Sequence, residues 1–425
     1  MERYNEYKDS GELWLGEIPS HWGLRRTKYV WKETDSRSEF GSEQLLSVSQ
    51  YDGVREAQSD SRSESLKGYK IVKQDELVIN IMLAWLGGLG VSKHEGIVSP
   101  AYCVYKLQDA QNPRFLHYLY RTPMYLAEFA RHSTGIVPSR WRMYTDDFGE
   151  VLTLLPPIEE QDAMVAYLDT ATAKIDEAIA QQQKMIDLLN ERKQIIINNA
   201  VTKGLNPDVP MKDSGVDWIG EIPEHWKVMK LKHVTSKIGS GSTPRGGAEV
   251  YQDSGIMFLR SQNVYNDGLK LDDVAHIVDG VHQKMKGTQV KYNDILYNIT
   301  GGSIGRCCCY DREDEANVNQ HVSIVRPKGI IAKYLMYNLQ SDNAQRQLRE
   351  TLKGGNREGL AAVTFKEFLI LTCPKEEQNQ IVSHIERMFV NIDRAISNAT
   401  KQISLLQERK QIIINDVVTG KVKVS

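Results

Sequence analysis

Two glycine-rich stretches carry the groups best suited to chemistry: GSGSTPRGG at residues 239–247 and GGSIGR at residues 301–306. Glycines bare the backbone N–H groups, and a hydroxyl or guanidinium beside them suits hydrogen bonding to an anion or a polar edge. A nucleotide-binding P-loop needs GxxxxGK followed by Ser or Thr, and both stretches lack that lysine and its hydroxyl neighbour. Adenine N6 methyl transfer needs an Asn/Asp-Pro-Pro-aromatic motif. The PP pair of LLPPIEE lacks both flanks, and NPD at residues 206–208 is no substitute. There is no HExxH or DxDxDG run, the ten histidines are scattered, and the five cysteines (Cys103, Cys307, Cys308, Cys309, Cys373) form no CxxC pair. These absences weigh against a transferase, nuclease or metal centre in this chain.

At 425 residues the chain is two to three domains long and can bury ample core. With 53 basic and 55 acidic residues its formal net charge is −2, so any nucleic-acid surface has to be local. The beginning, MERYNEYKDSG, is charged. The longest uncharged stretch, residues 77–92, contains Asn80 and three glycines and is shorter than the ~20 residues that span a bilayer. No membrane association and a cytoplasmic location are expected, and the sparse cysteines fit a reducing compartment.

The elements that must position the glycine stretches come in duplicate. DSGELWLGEIPSHW at residues 9–22 returns as DSGVDWIGEIPEHW at 213–226, an offset of 204. EEQ at 159–161, ID at 175–176 and ERKQIIIN at 191–198 return at an offset of 217. Self-similarity of this kind marks a tandem repeat. Its interiors, roughly 23–157 and 227–374, diverged in sequence and by 13 residues in length. A constant frame around variable inserts suggests that the frame does one job twice while each insert faces its own target.

Both tails of the repeat read as long helices. Alternating steps of three and four from Val165 reach Leu168, Thr172, Ile175, Ile179, Gln182, Ile186, Leu189, Lys193, Ile196 and Ala200. The same steps from Val382 reach Ile385, Phe389, Ile392, Ile396, Ala399, Ile403, Leu406, Lys410, Ile413 and Val417. One heptad register holds throughout, which argues for a narrow coiled-coil seam. Each helix follows a proline, Pro157 or Pro374, carries two glutamates in its first turn, and ends near Gly204 or Gly420, in keeping with helix-terminus preferences. At 1.5 Å per residue each makes a rod of about 65 Å. The shared Lys193 and Lys410 favour helices that pair with each other.

The interiors read as mixed α+β structure. GYKIVKQDELVIN (68–80) and GTQVKYNDILYNI (287–299) each predict a strand, a turn at an Asp, and an apolar strand. A glycine-rich stretch follows, WLGGLG at 85–90 or GGSIGR at 301–306. Then comes an aromatic-rich helical segment, FLHYLYRTPMYLAEF or YLMYNLQSDNAQRQL.

Strand-turn-strand, glycine loop, helix, an EEQ after a proline and a long heptad helix, all occurring twice, resemble the specificity subunit of type I restriction-modification enzymes. DSGxxWxGEIPxHW, GIVSPAYCVY (96–105) and GSGSTPRGG resemble wording found in its target recognition domains. The likeness covers essentially the whole chain, with CPKEEQ in the second repeat departing mildly from PPIEEQ in the first. The resemblance implies an α+β fold: two similar target recognition domains joined by two long helices pairing as an antiparallel coiled coil, with an internal pseudo-two-fold repeat. The expected division is 1–157, first target recognition domain; 158–203, first spacer helix; 204–374, second target recognition domain with a linker at 204–212; 375–419, second spacer helix; and 420–425, a tail. Each domain would read half of a bipartite double-stranded DNA site, and the helices would set the spacing and dock two methylation subunits, with restriction subunits as further partners. The chain itself would be non-catalytic and hold no cofactor; S-adenosylmethionine would belong to the methylation subunits, and ATP and Mg to a restriction subunit. A stand-alone methyltransferase or nuclease lacks its motifs here. A coiled-coil adaptor for proteins alone would not require two divergent inserts bearing glycines and arginines.

On this reading DNA contacts sit on the glycine loops and adjacent polar clusters, where side chains reach base edges and Lys/Arg hold phosphates. In the first half the candidates are Ser49, Gln50, Trp85, Gly87, Gly88, Arg140 and Arg142. In the second they are Ser240, Thr243, Arg245, Arg260, Gln262, Asn263, Ser303, Arg306, Asn356 and Arg357. Arg346, Arg349 and Lys353 join them at helical spacing on one face. Trp14, Trp22, Trp218 and Trp226, repeated unchanged, are expected to pack the frame, because a residue that reads bases should differ between two half-sites.

Overall fold

The structure, a computed structural model, describes residues 2–51, 53–57, 65–137, 140–353 and 359–424. The chain forms two units, Met1–Gln183 with Thr400–Ser425, and Lys184–Ala399. Each therefore contains a stretch of both long helices, which run Ile158–Lys203 and Lys375–Val418.

The first unit is built on a four-stranded antiparallel sheet in the order Trp31–Thr34, Tyr102–Leu107, Leu77–Asn80, Leu89–Val91. The second repeats it with Thr235–Ser240, Val322–Pro327, Ile295–Asn298 and Cys307–Cys309. The central strands LVIN and ILYN are buried at every position, so they read as continuous apolar runs rather than alternating ones. Each is approached through a left-handed residue, Asp75 (φ 67°) or Asn293 (φ 68°), and these are the side chains that best tolerate that conformation.

The strand-turn-strand expectation holds in the first unit, with strands Lys70–Val72 and Leu77–Asn80 on either side of Asp75, and is corrected in the second. Lys70–Val72 pairs with Gly96–Val98 and not with Leu77–Asn80, so the turn at Asp75 is a corner between two sheets. In the second unit the preceding residues form only an isolated bridge, Gln289 to Asn317. The aromatic helical segment is two short helices in each unit, Pro113–Tyr120 and Pro123–Arg131, or Ala332–Gln340 and Asp342–Lys353. Thr122 caps the second helix of the first pair, with Pro123 at its first position, where the missing N–H costs nothing. The second unit also adds a strand, Ala275–Ile277, against Ile256–Leu259, and a helix, Asp279–Lys284.

The core of the first unit gathers Trp22, Trp31, Phe115, Tyr120, Tyr125 and Phe148 against Met164 and Leu168 of one long helix and Val417 of the other. The second gathers Trp226, Tyr297, Tyr334 and Phe365 against Val201, Ile381 and Ile385. Seam positions Val165, Leu168, Thr172 and Ile175 are buried, as are Val382, Ile385, Ile392 and Ala399. Within the second unit Lys193 reaches Asp393 at 2.7 Å and lies 4.4 Å from the Phe389 ring centre. Within the first, Lys410 reaches Asp176 at 2.7 Å. Asp176 and Lys193 stand 17 residues apart on one helix, as do Asp393 and Lys410 on the other, so each unit makes the same Lys–Asp contact between its two helix stretches.

The repeated motifs hold this frame together. The Trp22 indole N–H donates to Glu160 at 3.1 Å, and Trp226 does the same to Glu377 at 3.0 Å. Gln161 accepts from the Asn112 amide and donates to the Pro156 carbonyl; Gln378 repeats this with the Ile331 amide and the Cys373 carbonyl. Gly420, at φ 75°, lies against the same tryptophan: a Cβ there would stand 2.6 Å from Pro19 and 2.9 Å from Trp22.

Candidate nucleic-acid interface

In the first unit one side chain assembles the candidate loops. The Arg121 guanidinium, just past the helix Pro113–Tyr120, donates to the carbonyls of Gly87 and Leu89 at 2.7 Å each, of Gln50 at 3.0 Å and of Tyr51 at 2.6 Å. Ser49, Gln50 and the WLGGLG loop are thereby held side by side. Gly87 takes φ 88°, and at Gly88 a Cβ would fall 2.6 Å from that of Leu83, so both glycines serve the turn. Trp85 meets Trp141 edge-on at 5.3 Å, and its Nε1 is buried without a hydrogen-bond partner. This ring props the loop, and its unpaired N–H is buried away from the surface. Arg140 and Arg142 flank Trp141, and Arg142 exchanges backbone bonds with Thr134. Arg140 is exposed and Arg142 half-buried. Beneath the loop His117 accepts from the Val91 amide at 3.1 Å. Burial, and then the Arg121, Lys93 and Arg114 cations, push its pKa down to about 3.

The second unit places its candidates in three settings. Ser303 and Arg306 lie on the glycine loop, where Ser303 accepts from the Asn298 amide at 3.1 Å and the Arg306 guanidinium stacks 4.9 Å from the Tyr265 ring centre. Gln345 binds the Gly305 carbonyl at 3.2 Å, and so joins this loop to the helix that displays Arg346, Arg349 and Lys353, all exposed. Ser240 ends a sheet strand, and Thr243 and Arg245 follow on the surface. Thr243 bonds Gln320, Gln320 bonds His321, and His321 bonds Thr300, a polar chain running to the edge of the glycine loop. Gly241 is required for packing, since a Cβ there would lie 2.0 Å from the Val318 carbonyl.

Arg260 and Asn263 are drawn inward, half-buried and buried, while Gln262 stays exposed. Arg260 and Gln262 bond Asp273, and buried Asn263 bonds the Arg260 amide and the Lys270 and Asp273 carbonyls. Asn356 and Arg357 lie outside the described residues.

Sequence reasoning missed Arg121 and its counterpart Gln340, which binds the carbonyls of Cys307 and Asn266 at 2.8 and 2.9 Å. It also passed over Asn80 and Asn298, which open the two loops through bonds to the Met82 amide and to Ser303. Their matching places at the ends of LVIN and ILYN were the signal available. A cleft of about 1170 Å³ in the first unit joins Gln50, Gly87 and Arg121 to Lys410. One of about 630 Å³ in the second joins Arg306 and Gln340 to Lys193.

Among the described residues no group of three or more His, Cys, Asp or Glu is placed to hold a metal ion, and no helix is long and apolar enough to cross a membrane. Burial pushes the Cys308, Cys309 and Cys373 thiols up to about 12, so they stay protonated and unreactive.

Residues 223–404 match the family model of the type I restriction modification DNA specificity domain. The chain is 27% identical over 283 residues to the type I restriction enzyme MjaVIII specificity subunit of Methanocaldococcus jannaschii, across 65% of this chain and 63% of that protein. It is 24% identical over 312 residues to the EcoBI specificity subunit of Escherichia coli, across 71% and 64%. The matched length is thus just under two thirds of each relative. A solved chain from a study of assembly and conformational transition in a type I R-M system superposes with a TM-score of 0.63 at 15% identity, covering 95% of this chain and 99% of that one, and so shares its fold. With the duplicated frame, these matches make the chain similar, in its second half by family model and along its length by fold, to type I restriction-modification specificity subunits.

Proposed function

We propose that this chain is the non-catalytic DNA-specificity subunit of a type I restriction-modification complex. Each unit reads one half of a bipartite double-stranded site, and the paired helices set the spacer and dock two methylation subunits, with restriction subunits joining that core. S-adenosylmethionine sits on the methylation subunits, ATP and Mg on the restriction subunit, and the assembly works in the cytoplasm.

One observation carries this reading: the same sheet and the same loop scaffold occur twice with different side chains on the loops. Nine residues separate Asn80 from Leu89 and Asn298 from Cys307. Gly87 (φ 88°) and Gly305 (φ 91°) occupy equivalent places, and a side chain just beyond or ending the neighbouring helix, Arg121 or Gln340, clamps each loop. Constant geometry with variable edges is what two readers of two different half-sites require, because phosphate contacts position a reader while base-edge contacts specify.

The test is to map methylated adenines in cells carrying the complex, then replace residues 227–374 with the insert of a relative. One half of the methylated sequence should change and the other should persist; change in both halves would refute the division of labour.

A further inference from the structure

The two glycine loops share a backbone course but not a chemistry. Around Trp85 the first loop exposes Met82, Leu83 and Leu86, at 40%, 37% and 40% of their surfaces. Their counterparts in the second loop are Thr300, Gly301 and Ile304, and Ile304 packs onto the core. Residues 299–306 contain none of the exposed large apolar side chains. The first loop is also stiff: Arg121 binds its Gly87 and Leu89 carbonyls, Met143 N–H donates to the Ile81 carbonyl, and Trp85 abuts Trp141. Arg140 and Arg142 flank that second tryptophan, and among the described residues neither has an acidic partner. A rigid apolar tip bordered by free cations suits a surface that is apolar at its centre and anionic at its margins.

We propose that Met82, Leu83 and Leu86 recognise thymine 5-methyl groups in the major groove of the half-site read by the first unit, while Arg140 and Arg142 hold adjacent phosphates. The inference rests on the specificity reading above and adds the chemistry of one half-site. The methyl group is the one apolar feature of a base-pair edge in that groove. Leucine and methionine meet it by dispersion and water exclusion, and no hydrogen bond is left unmade. The second unit, with Ser303 and Arg306 at its loop, reads through hydrogen bonds instead.

The probe is deoxyuridine, which pairs as thymidine does but lacks the methyl group. The full chain, assembled with its methylation subunits, is titrated with duplexes of the mapped site in which each thymine is replaced in turn. The half belonging to the first unit is the one that persists when residues 227–374 are exchanged. At least one replacement in that half should weaken binding about fourfold, the worth of one buried methyl, and replacements in the other half should change nothing. Leu86→Asn should weaken binding to the thymine duplex and erase its advantage over the uracil duplex. A first half-site without thymine, or with every uracil duplex bound as tightly as its parent, overturns the proposal. So does a Leu86→Asn chain that binds DNA normally but no longer assembles with its subunits, since that assigns the tip to a protein partner. A complex that binds no duplex at all sinks the specificity reading together with this one.

Discussion

The Trp226 indole N–H donates to Glu377 Oε1 at 3.0 Å, which ties the start of the second repeat to the first turn of its long helix. Trp22 and Glu160 do the same in the first repeat at 3.1 Å, with Tyr4 and His21 on the same carboxylate. The repeated HW and EEQ motifs are therefore two ends of one latch. Both indoles are fully buried, so a latch without its carboxylate leaves an N–H unsatisfied. Glu377→Ala should cost about 1–3 kcal/mol, and Glu377→Gln, which keeps an acceptor, should cost less. Urea unfolding of the two variants measures the difference; equal stabilities would show that the contact contributes little.

Arg121→Ala should free the carbonyls of Gln50, Tyr51, Gly87 and Leu89 and loosen both candidate loops of the first unit. Water can take up the exposed carbonyls, so the main loss is expected in DNA recognition. Binding to the first half-site should become less selective while selection of the second half-site is retained, and amides 83–91 should exchange faster with solvent. Methylome sequencing and hydrogen exchange check the two parts separately.

His117 makes the first unit sensitive to acid. Its pKa of about 3 lies below the ordinary 6.5, so between those values the unfolded chain binds a proton that the folded chain refuses. Stability from the neutral imidazole is complete above pH 6.5 and declines as pH falls through that window. About 1–2 kcal/mol should be lost between pH 7 and pH 5. His117→Asn keeps an acceptor for the Val91 amide without titrating, and its unfolding midpoint should fall less over the same range.

Seven residues inserted into each long helix, after Gln183 and after Thr400, preserve the seam and add ~10 Å of helix, about three base pairs at 3.4 Å each. The non-specific spacer of the methylated sequence should lengthen by that amount with both half-sites unchanged. A fixed spacer in an active complex would make the helices a dock and not a ruler.

The frame was legible in the sequence because its determinants are local and repeated. Heptad spacing selects the seam whatever surrounds it, the prolines and glutamates mark where each helix starts, and two copies of DSGxxWxGEIPxHW show that one structure is built twice. The glycine loops were legible as well, since their left-handed residues need glycine. What tertiary structure alone decided was the use of each polar side chain. Asn263 and Arg306 are both polar residues near a glycine-rich or turn-rich stretch, yet one is buried on backbone groups and the other stacks on Tyr265 at the rim of a cleft. Arg121 looks like any surface arginine at a helix end, and its four carbonyl partners lie 32 to 71 residues away along the chain. Residue type and spacing specify what a side chain can bond; only the fold brings distant carbonyls within 3 Å, and so settles which groups are consumed holding the loops and which remain exposed.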